Sequence, residues 1–137
     1  MSLLEISTAV EDRLAARWGK CPVRGLNDPN RSTPPAGEPY LQVEYPASLT
    51  RQISIGAPGA NTHRTEGGFV LVLAVERGAG LKPWLAWTRE LAGLFRNETF
   101  DGLRCFEPAE PSIDGSNASG EWFELSVAVP YEFDFLA

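Results

Sequence analysis

The residue best suited to acid–base or nucleophilic catalysis is His63, the one histidine of the chain. A histidine can activate a serine or cysteine nucleophile when the fold brings the two side chains within hydrogen-bonding reach. His63 lies in a glycine-rich segment, and neither Ser54 nor Cys105 stands in the strand–turn–helix context of a nucleophile. The sequence therefore predicts an exposed loop histidine and no catalytic residue.

Carboxylates and thiols are the next candidates for chemistry. Glu107, Glu110 and Asp114 lie in a proline-rich stretch that gives no reason for a fixed carboxylate separation. Two cysteines, Cys21 and Cys105, are too few and too far apart for a disulfide framework or a zinc site, so both are expected to be free thiols. We expect no catalytic, cofactor-binding or metal-binding residue, and hence a protein that is not an enzyme.

The glycine-rich turn at residues 78–80 opens a helix after a strand, which is the geometry of a phosphate cradle. It lacks the further glycine of a dinucleotide fingerprint and the Gly-Lys-Ser/Thr of a P-loop, which favours a tight strand-to-helix turn. Arg51, Arg64 and Arg77 are expected at one end of the sheet. In a chain of net charge −6, arginines are better explained by pairing with acids across a subunit interface than by nucleic-acid binding.

Length and composition indicate one globular domain over residues 1–137. Hydrophobic residues make up 43% and charged residues 22% of the chain, which is an ordinary globular balance. The first residues carry acids instead of the basic stretch of a signal peptide, and no apolar run approaches the roughly 20 residues of a membrane span. The expected location is the cytosol or a particle assembled there.

The stretch Phe69–Val75 (FVLVLAV) is apolar on both faces of a strand, which predicts a central strand. Two helices should position it. The first runs from Ser2 to Gly19, and the second follows Pro83. Their predicted buried residues are Leu3, Ile6, Val10, Leu14 and Trp18 in the first helix, and Trp84, Trp87, Leu91, Leu94 and Phe95 in the second. If both helices cover the same face, the other face needs a cover from outside, which predicts self-association.

Alternating patterns predict the remaining strands. Tyr40–Tyr45 should end at Pro46, and Arg51–Ile55 should form another strand with Ile53 and Ile55 inward. The segment 56–68 is predicted as an exposed loop or hairpin tip. Two further strands are predicted at residues 103–106 and 122–133, with Pro130 at an edge or leaving the sheet. The predicted fold is α+β, with a mostly antiparallel sheet of about five strands, two main helices, and long loops at residues 20–39 and 107–120.

Several stretches, in their order and spacing, resemble the tail terminator-like proteins of long-tailed phages, prophages and phage-like particles, a family also described as phage-related minor tail proteins. They are RWGKCPV, YLQVEY, RQISIG, TEGGFVLVLAV, LAGLFRN, TFDGLRC and GEWFELSVAVPYEFDF. The resemblance implies a structural virion protein, six copies of which form a ring on the end of the tail tube. Such a ring would stop polymerisation and offer the head a surface to join.

The resemblance further implies that the partners are other copies of the chain, the tail tube protein and a head–tail connector or stopper protein. DNA would pass through the ring without specific binding, and the protein would reside in the virion tail after assembly in the host bacterial cytoplasm. The family supplies no functional residue to carry over. Our candidates for a subunit or tube interface are taken from the polar segment 56–68 and its neighbours: Arg51, His63, Arg64, Glu66, Val70 and Val72.

Two alternatives remain open at the level of the sequence. One is another head–tail connector or a tail-tube subunit, which share small α+β architectures and ring assembly. The other is a small-ligand-binding domain in which Trp84 and Trp87 form a pocket wall.

Overall fold

The computed structural model describes residues 2–24, 38–113 and 122–137. Its elements, in chain order, are α1 (Ser2–Arg17), β1 (Val23–Arg24), β2 (Tyr40–Gln52), β3 (Thr62–Glu76), α2 (Lys82–Phe95), β4 (Thr99–Phe100), β5 (Leu103–Cys105) and β6 (Trp122–Leu136). The strands form one six-stranded sheet in the order β1-β2-β3-β6-β5-β4. β1 and β2 run parallel, and the other neighbours are antiparallel. The predicted α+β fold is confirmed.

The predicted central strand is the middle of β3, which pairs with β2 on one side and with β6 on the other. Phe69, Leu71, Leu73 and Val75 point to one face, and each is at most 1% exposed. We call this face of the sheet the inner face. Both helices pack against it, because the core cluster joins these side chains to residues of α1 and α2, namely Ile6, Ala9, Val10, Leu14, Leu91, Ala92 and Phe95.

The opposite, outer face of β3 is covered in part by the chain itself. Ala74 is 1% exposed and Val72 is 6% exposed. Tyr40 of β2 lies directly opposite Ala74, and its ring meets that of Trp122 of β6 with 5.0 Å between centroids. The expectation that this face needs an external cover is therefore wrong at Ala74 and Val72. Val70, further along the strand, is half-exposed.

The two strands predicted on either side of Pro46 are one strand, β2. A register shift between Glu44 and Ala47 absorbs Pro46, because a bulge tolerates a residue without an amide donor. The inward orientation predicted for Ile53 and Ile55 is wrong: they are 42% and 91% exposed. The inner-face pattern of β2 does not continue through the bulge.

Residues 53–61 form the tip of the hairpin between β2 and β3. Gly56 and Gly59 have φ angles of 96° and 83°, a region that suits glycine. The hairpin tip predicted for residues 56–68 is thus confirmed in position but is shorter, since β3 already begins at Thr62.

The predicted buried stripe of α1 is confirmed at Ile6, Val10, Leu14 and Trp18 but not at Leu3, which is 42% exposed. The first turn of α1 lies where the inner face has become polar. There the Oγ of Ser2 is 2.8 Å from the Oγ1 of Thr65. A leucine at that end of the helix has little apolar surface to contact.

Helix α2 begins at Lys82 with Pro83 in its first turn, as predicted. Leu91 and Phe95 are fully buried, while Trp84, Trp87 and Leu94 are half-buried. The two tryptophan rings meet edge to face at 4.9 Å, and Trp87 meets Trp18, the residue that follows α1, at 5.8 Å. The tryptophans therefore help to pack the two helices together.

Strand β6 has the predicted inner face, with Leu125, Val127, Val129, Tyr131 and Phe133 buried. Of the two alternatives predicted for Pro130, an exit from the sheet is wrong, because β6 continues beside β3 to Leu136, whereas an edge is found on the side of β5, whose pairing with β6 ends at Tyr131. The carbonyl of Pro130 accepts the Phe106 N–H at 2.9 Å, so the proline nitrogen faces the side where β5 has just ended. The Phe106 carbonyl accepts the Asn97 N–H instead.

Candidate functional site

Among the described strands, the longest stretch of exposed residues lies at the hairpin end of the sheet. We call it the distal sheet and define it as residues 47–52 of β2, 62–68 of β3 and 130–136 of β6, which pair in continuous register. All residues from 46 to 53 are exposed. A strand segment whose side chains are solvated on both faces contributes little to a core, so the regular pairing of residues 47–52 with β3 calls for another explanation.

Glycine at position 67 permits a close approach where β2 enters the distal sheet. A Cβ added to Gly67 would lie 2.5 Å from the Ala47 carbonyl oxygen and 2.9 Å from the Tyr131 hydroxyl. Both distances are shorter than real Cβ contacts. The backbone bulge of β2 can therefore pack against β3 only because residue 67 has no side chain.

The inner face of the distal sheet is polar on β2 and β3, whereas β6 presents Tyr131 and Phe133 there. The Oγ1 of Thr65, which is 1% exposed, lies 2.8 Å from the Oγ1 of Thr50 and 2.8 Å from the Oγ of Ser2. Beyond Thr65 the His63 ring stacks on Phe135 at 5.4 Å between centroids. Hydroxyl hydrogen bonds thus join β2 and β3 at this end of the sheet to the first turn of α1.

The outer face of the distal sheet carries a row of ion pairs. Arg64 donates two hydrogen bonds to Asp134, at 2.8 and 2.9 Å, and its Nε is 3.9 Å from Glu132. Glu132 also pairs with Arg104 of β5. On the other side, Arg51 binds Glu66 at 3.2 Å. Three arginines and three carboxylates therefore lie along one face, and most remain in contact with solvent.

The pairing changes the acidity of the groups involved. The hydrogen bonds from Arg64 hold the pKa of Asp134 below its ordinary value of 3.8, and those bonds raise the pKa of Arg64. Elsewhere, burial raises the pKa of the Cys105 thiol to about 12, and burial also raises that of Tyr45. A thiol with such a pKa is a poor nucleophile near neutral pH.

Exposed apolar side chains flank the charged row. Leu49 of β2 and Leu136 of β6 are 71% and 68% exposed, and Ile55 in the hairpin tip is 91% exposed. The alternation of the strands puts Leu49 and Leu136 on the outer face with the ion pairs. A surface with a charged centre and an apolar margin is suited to protein contacts.

A cluster of metal-binding side chains is not assembled in the described parts of the chain. No cluster of three or more His, Cys, Asp or Glu side chains there could hold a metal ion. A groove of about 390 Å³ lies beside α2, lined by Leu85, Thr88, Arg89, Ala92, Arg96, Val127 and residues 108–111. Trp84 and Trp87 are not among its lining residues, so this groove is not the tryptophan-walled pocket of the ligand-binding alternative.

Comparison with known proteins gives the class of the molecule. The sequence profile of the family described as phage tail terminator protein matches residues 5–131. The chain belongs to the phage tail terminator family. The resemblance seen in the sequence is thus confirmed, and with it a structural role in the phage tail. No curated protein sequence matches the chain.

The fold of this phage tail terminator protein is also found among solved structures, eight chains of which match. One match, whose title states no function, covers 100% of this chain and 96% of its own, with a TM-score of 0.52 and 21% identity. At that identity the match supports the fold alone. Among the described residues no helix is long and apolar enough to cross a membrane.

The structure brings together five of the six residues predicted for a terminator interface. Arg51, Arg64 and Glu66 adjoin one another on the outer face of the distal sheet, and Val70 and Val72 follow along β3 on the same face. His63 points to the inner face, where it stacks on Phe135. The predicted grouping with Arg77 is wrong: it follows the far end of β3, roughly 40 Å along the strand from Arg64.

Sequence reasoning missed the residues that complete the charged row. Glu132, Asp134 and Arg104 come from β6 and β5, and only the pairing of β3 with β6 places them beside Arg64. A signal was present in β6, because its alternation continues past Phe133 and puts Asp134 and Leu136 on the face of Glu132.

Proposed function

We propose that this terminator protein caps the end of a tail tube as a ring of six copies, stops tube polymerisation and provides the surface that the head joins. The observation that carries the proposal, beyond the family itself, is the distal sheet. Its outer face combines exposed ion pairs with the exposed Leu49 and Leu136, and the exposed Ile55 lies in the adjoining hairpin tip. Such a surface is suited to assembly.

A ring of identical subunits needs two different surfaces on each copy, because head-to-tail contacts join one patch to another. The distal sheet supplies one of them. We place Arg51, Arg64 and Glu66 in the subunit or tube interface, with Val70 beside them. Val72 is already buried and His63 faces inward, so both would act through the positions of their neighbours and not by direct contact.

The proposed partners are other copies of the chain, the tail tube protein on one side and a head–tail connector or stopper protein on the other. The net charge of −6 favours a channel through which DNA passes without being held, since retention requires clustered cations. The ring would be assembled in the host bacterial cytoplasm and remain in the virion tail.

Negative-stain electron microscopy of the purified protein, alone and mixed with tail tubes from a matching particle, tests the proposal. Single rings of fixed size, or caps on tube ends that limit tube length, are the expected result. Growth into long tubes would instead identify a tail-tube subunit. Particles that neither form rings nor bind tube ends at the highest attainable concentration would contradict the proposal.

A further inference from the structure

One long edge of the sheet has no strand partner in the described part of the chain. β1 pairs with β2 at Leu41 and Gln42, and the following residues of β2 have β3 on one side alone. The residues from 47 to 52 keep continuous register with β3 and are exposed. This edge is therefore both regular and accessible.

The hydrogen bond from the Ile53 N–H to the Thr62 carbonyl, at 2.8 Å, fixes which backbone groups point outward. In an antiparallel pair, alternate residues bond to the partner strand. Ile53, and by alternation the odd-numbered residues before it, bond to β3. The N–H and C=O groups of Ser48, Thr50 and Gln52 consequently face away from the sheet.

A second open edge lies at the end of β6. Ala137 and Asn61 exchange two backbone hydrogen bonds of 2.9 Å, so odd-numbered residues of β6 bond to β3. The backbone groups of even-numbered residues face the other side, where β5 pairs with β6 only as far as Phe133. The backbone groups of Asp134 and Leu136 thus also face away from the sheet.

Within the described residues, neither edge has the usual protection against pairing. Soluble proteins protect exposed strand edges with lysine, proline, bulges or covering elements. Pro46 and its bulge protect the start of the β2 edge, but residues 47–52 contain no lysine or proline, and Leu49 is exposed among them. The edges are therefore suited to adding a strand.

We propose that β2 of one copy adds to the free end of β6 of the next copy, so that the distal sheets join around the ring. The proposal rests on the proposed ring and names its contact. Both edges belong to this chain and lie at the same end of the sheet. β2 and β6 are each antiparallel to β3 and so run parallel to one another, a relation that rotation about a ring axis preserves between neighbours.

The side chains on the two edges are complementary. On the outer face, the end of β2 presents Arg51 followed by Ile53, and the end of β6 presents Asp134 followed by Leu136. Within one copy Arg51 and Asp134 lie at the same level, on either side of Arg64, and both lie beyond the end of β5. A parallel contact between neighbours at that level puts arginine opposite aspartate and isoleucine opposite leucine, with the outward N–H of Gln52 beside the outward carbonyl of Asp134.

Proline substitution tests the backbone contact directly. Gln52→Pro removes an N–H that faces outward and leaves the bonds from β2 to β3 in place, whereas Gln52→Ala keeps the N–H and removes the same side chain. Loss of one such bond should weaken each contact about tenfold. Rings should therefore require a higher concentration, or disappear, in the proline variant alone, while thermal unfolding of the monomer changes little in either.

Cysteine cross-linking tests the partner strand without risk to the backbone. In a Cys21→Ser background, where the remaining Cys105 is buried, Ile53→Cys and Leu136→Cys are made singly and together. Mild oxidation of the double variant should give linked species up to the ring size, and oxidation of the two single variants mixed should give linked pairs. Each single variant by itself should give none.

The outcomes separate this contact from the ring itself. Rings that form normally with Gln52→Pro, and no cross-link in the double variant, would overturn the strand contact and leave the ring proposal standing. Ile53→Cys linking to itself would indicate a two-fold dimer, and linking to the tube protein would assign the edge to the tube; either overturns the contact. A chain that never self-associates, with or without tubes, overturns both proposals.

Discussion

Tyr40 and Trp122 meet edge to face, 5.0 Å between ring centroids, although they belong to strands on opposite sides of β3. Their contact has to pass over β3, and the residue opposite Tyr40 is Ala74. A small side chain at that position lets the two rings cover the strand. The chain thereby protects part of its outer face at the end of the sheet that lies away from the distal sheet.

The first prediction concerns this aromatic contact. Ala74→Leu places three more carbon atoms beneath rings that already touch, and overpacking of this kind costs about 1–3 kcal/mol. Urea unfolding followed by tryptophan fluorescence should show this loss. Ala128→Leu, on the same face of β6 but exposed, is the matched control and should change stability little. Equal stability of the two variants would contradict the role of the contact.

The second prediction concerns the bulge of β2. Gly67→Ala introduces a Cβ 2.5 Å from the backbone oxygen of Ala47, which no side-chain rotation can relieve, whereas Gly68→Ala places one at an ordinary 3.5 Å from the Val129 oxygen. We expect Gly67→Ala to lower the free energy of unfolding by about 1–3 kcal/mol and Gly68→Ala to lower it much less. Thermal melts of the two variants compare neighbouring glycines of the same strand.

The sequence was sufficient for most elements because their patterns coincide with their burial. The alternation in β6 and the apolar stretch of β3 each reflect a face packed against helices, and pattern alone predicts such elements well. It failed at β2. Pro46 is a strong local signal for an ending, yet pairing with β3 holds the strand together through a bulge, and that pairing is not encoded near Pro46.

The candidate site was only partly predictable for the same reason. Arg51, Arg64 and Glu66 were recognised as a polar group near the central strand, but Asp134, the partner of Arg64, lies 70 residues away in the chain. His63 was expected in a loop. It lies instead in β3, where its side chain points to the face opposite that of its neighbour Arg64 and stacks on Phe135. Contacts between distant strands carry the information that was missing.

The third prediction is a pH dependence. Arg64 lowers the pKa of folded Asp134, so the pair stabilises the protein above the ordinary pKa of 3.8 and loses this effect as the pH falls through the lowered value. Asp134→Asn should therefore be less stable than the parent at about pH 6, and the difference should shrink at about pH 3. It should be small throughout, since the pair is partly solvated and screened by salt. Urea titrations at several pH values measure it, with Glu110→Gln as an exposed control.

The fourth prediction distinguishes an intersubunit role of the charged row from a role within the chain. Arg64→Glu should impair ring formation or tube binding, but it also breaks the two hydrogen bonds to Asp134. Arg51 is the sharper probe, because its side chain is 62% exposed and its partner is Glu66 alone among the ion pairs of the described residues.

For that probe, Arg51→Glu should raise the concentration needed for rings, while Arg89→Glu, a charge reversal on α2, should not. The exchange Arg51→Glu with Glu66→Arg restores an ion pair within the chain but reverses the charges that a neighbour meets. If assembly stays impaired in the exchanged variant, Arg51 acts on another subunit or on the tube. Charges at an interface guide the approach of the partner and fix its register, so reversing them should impair assembly even when the ion pair within the chain is restored. If assembly recovers fully, the row stabilises only its own sheet, and the interface must be assigned to the exposed leucines and the open strand edges.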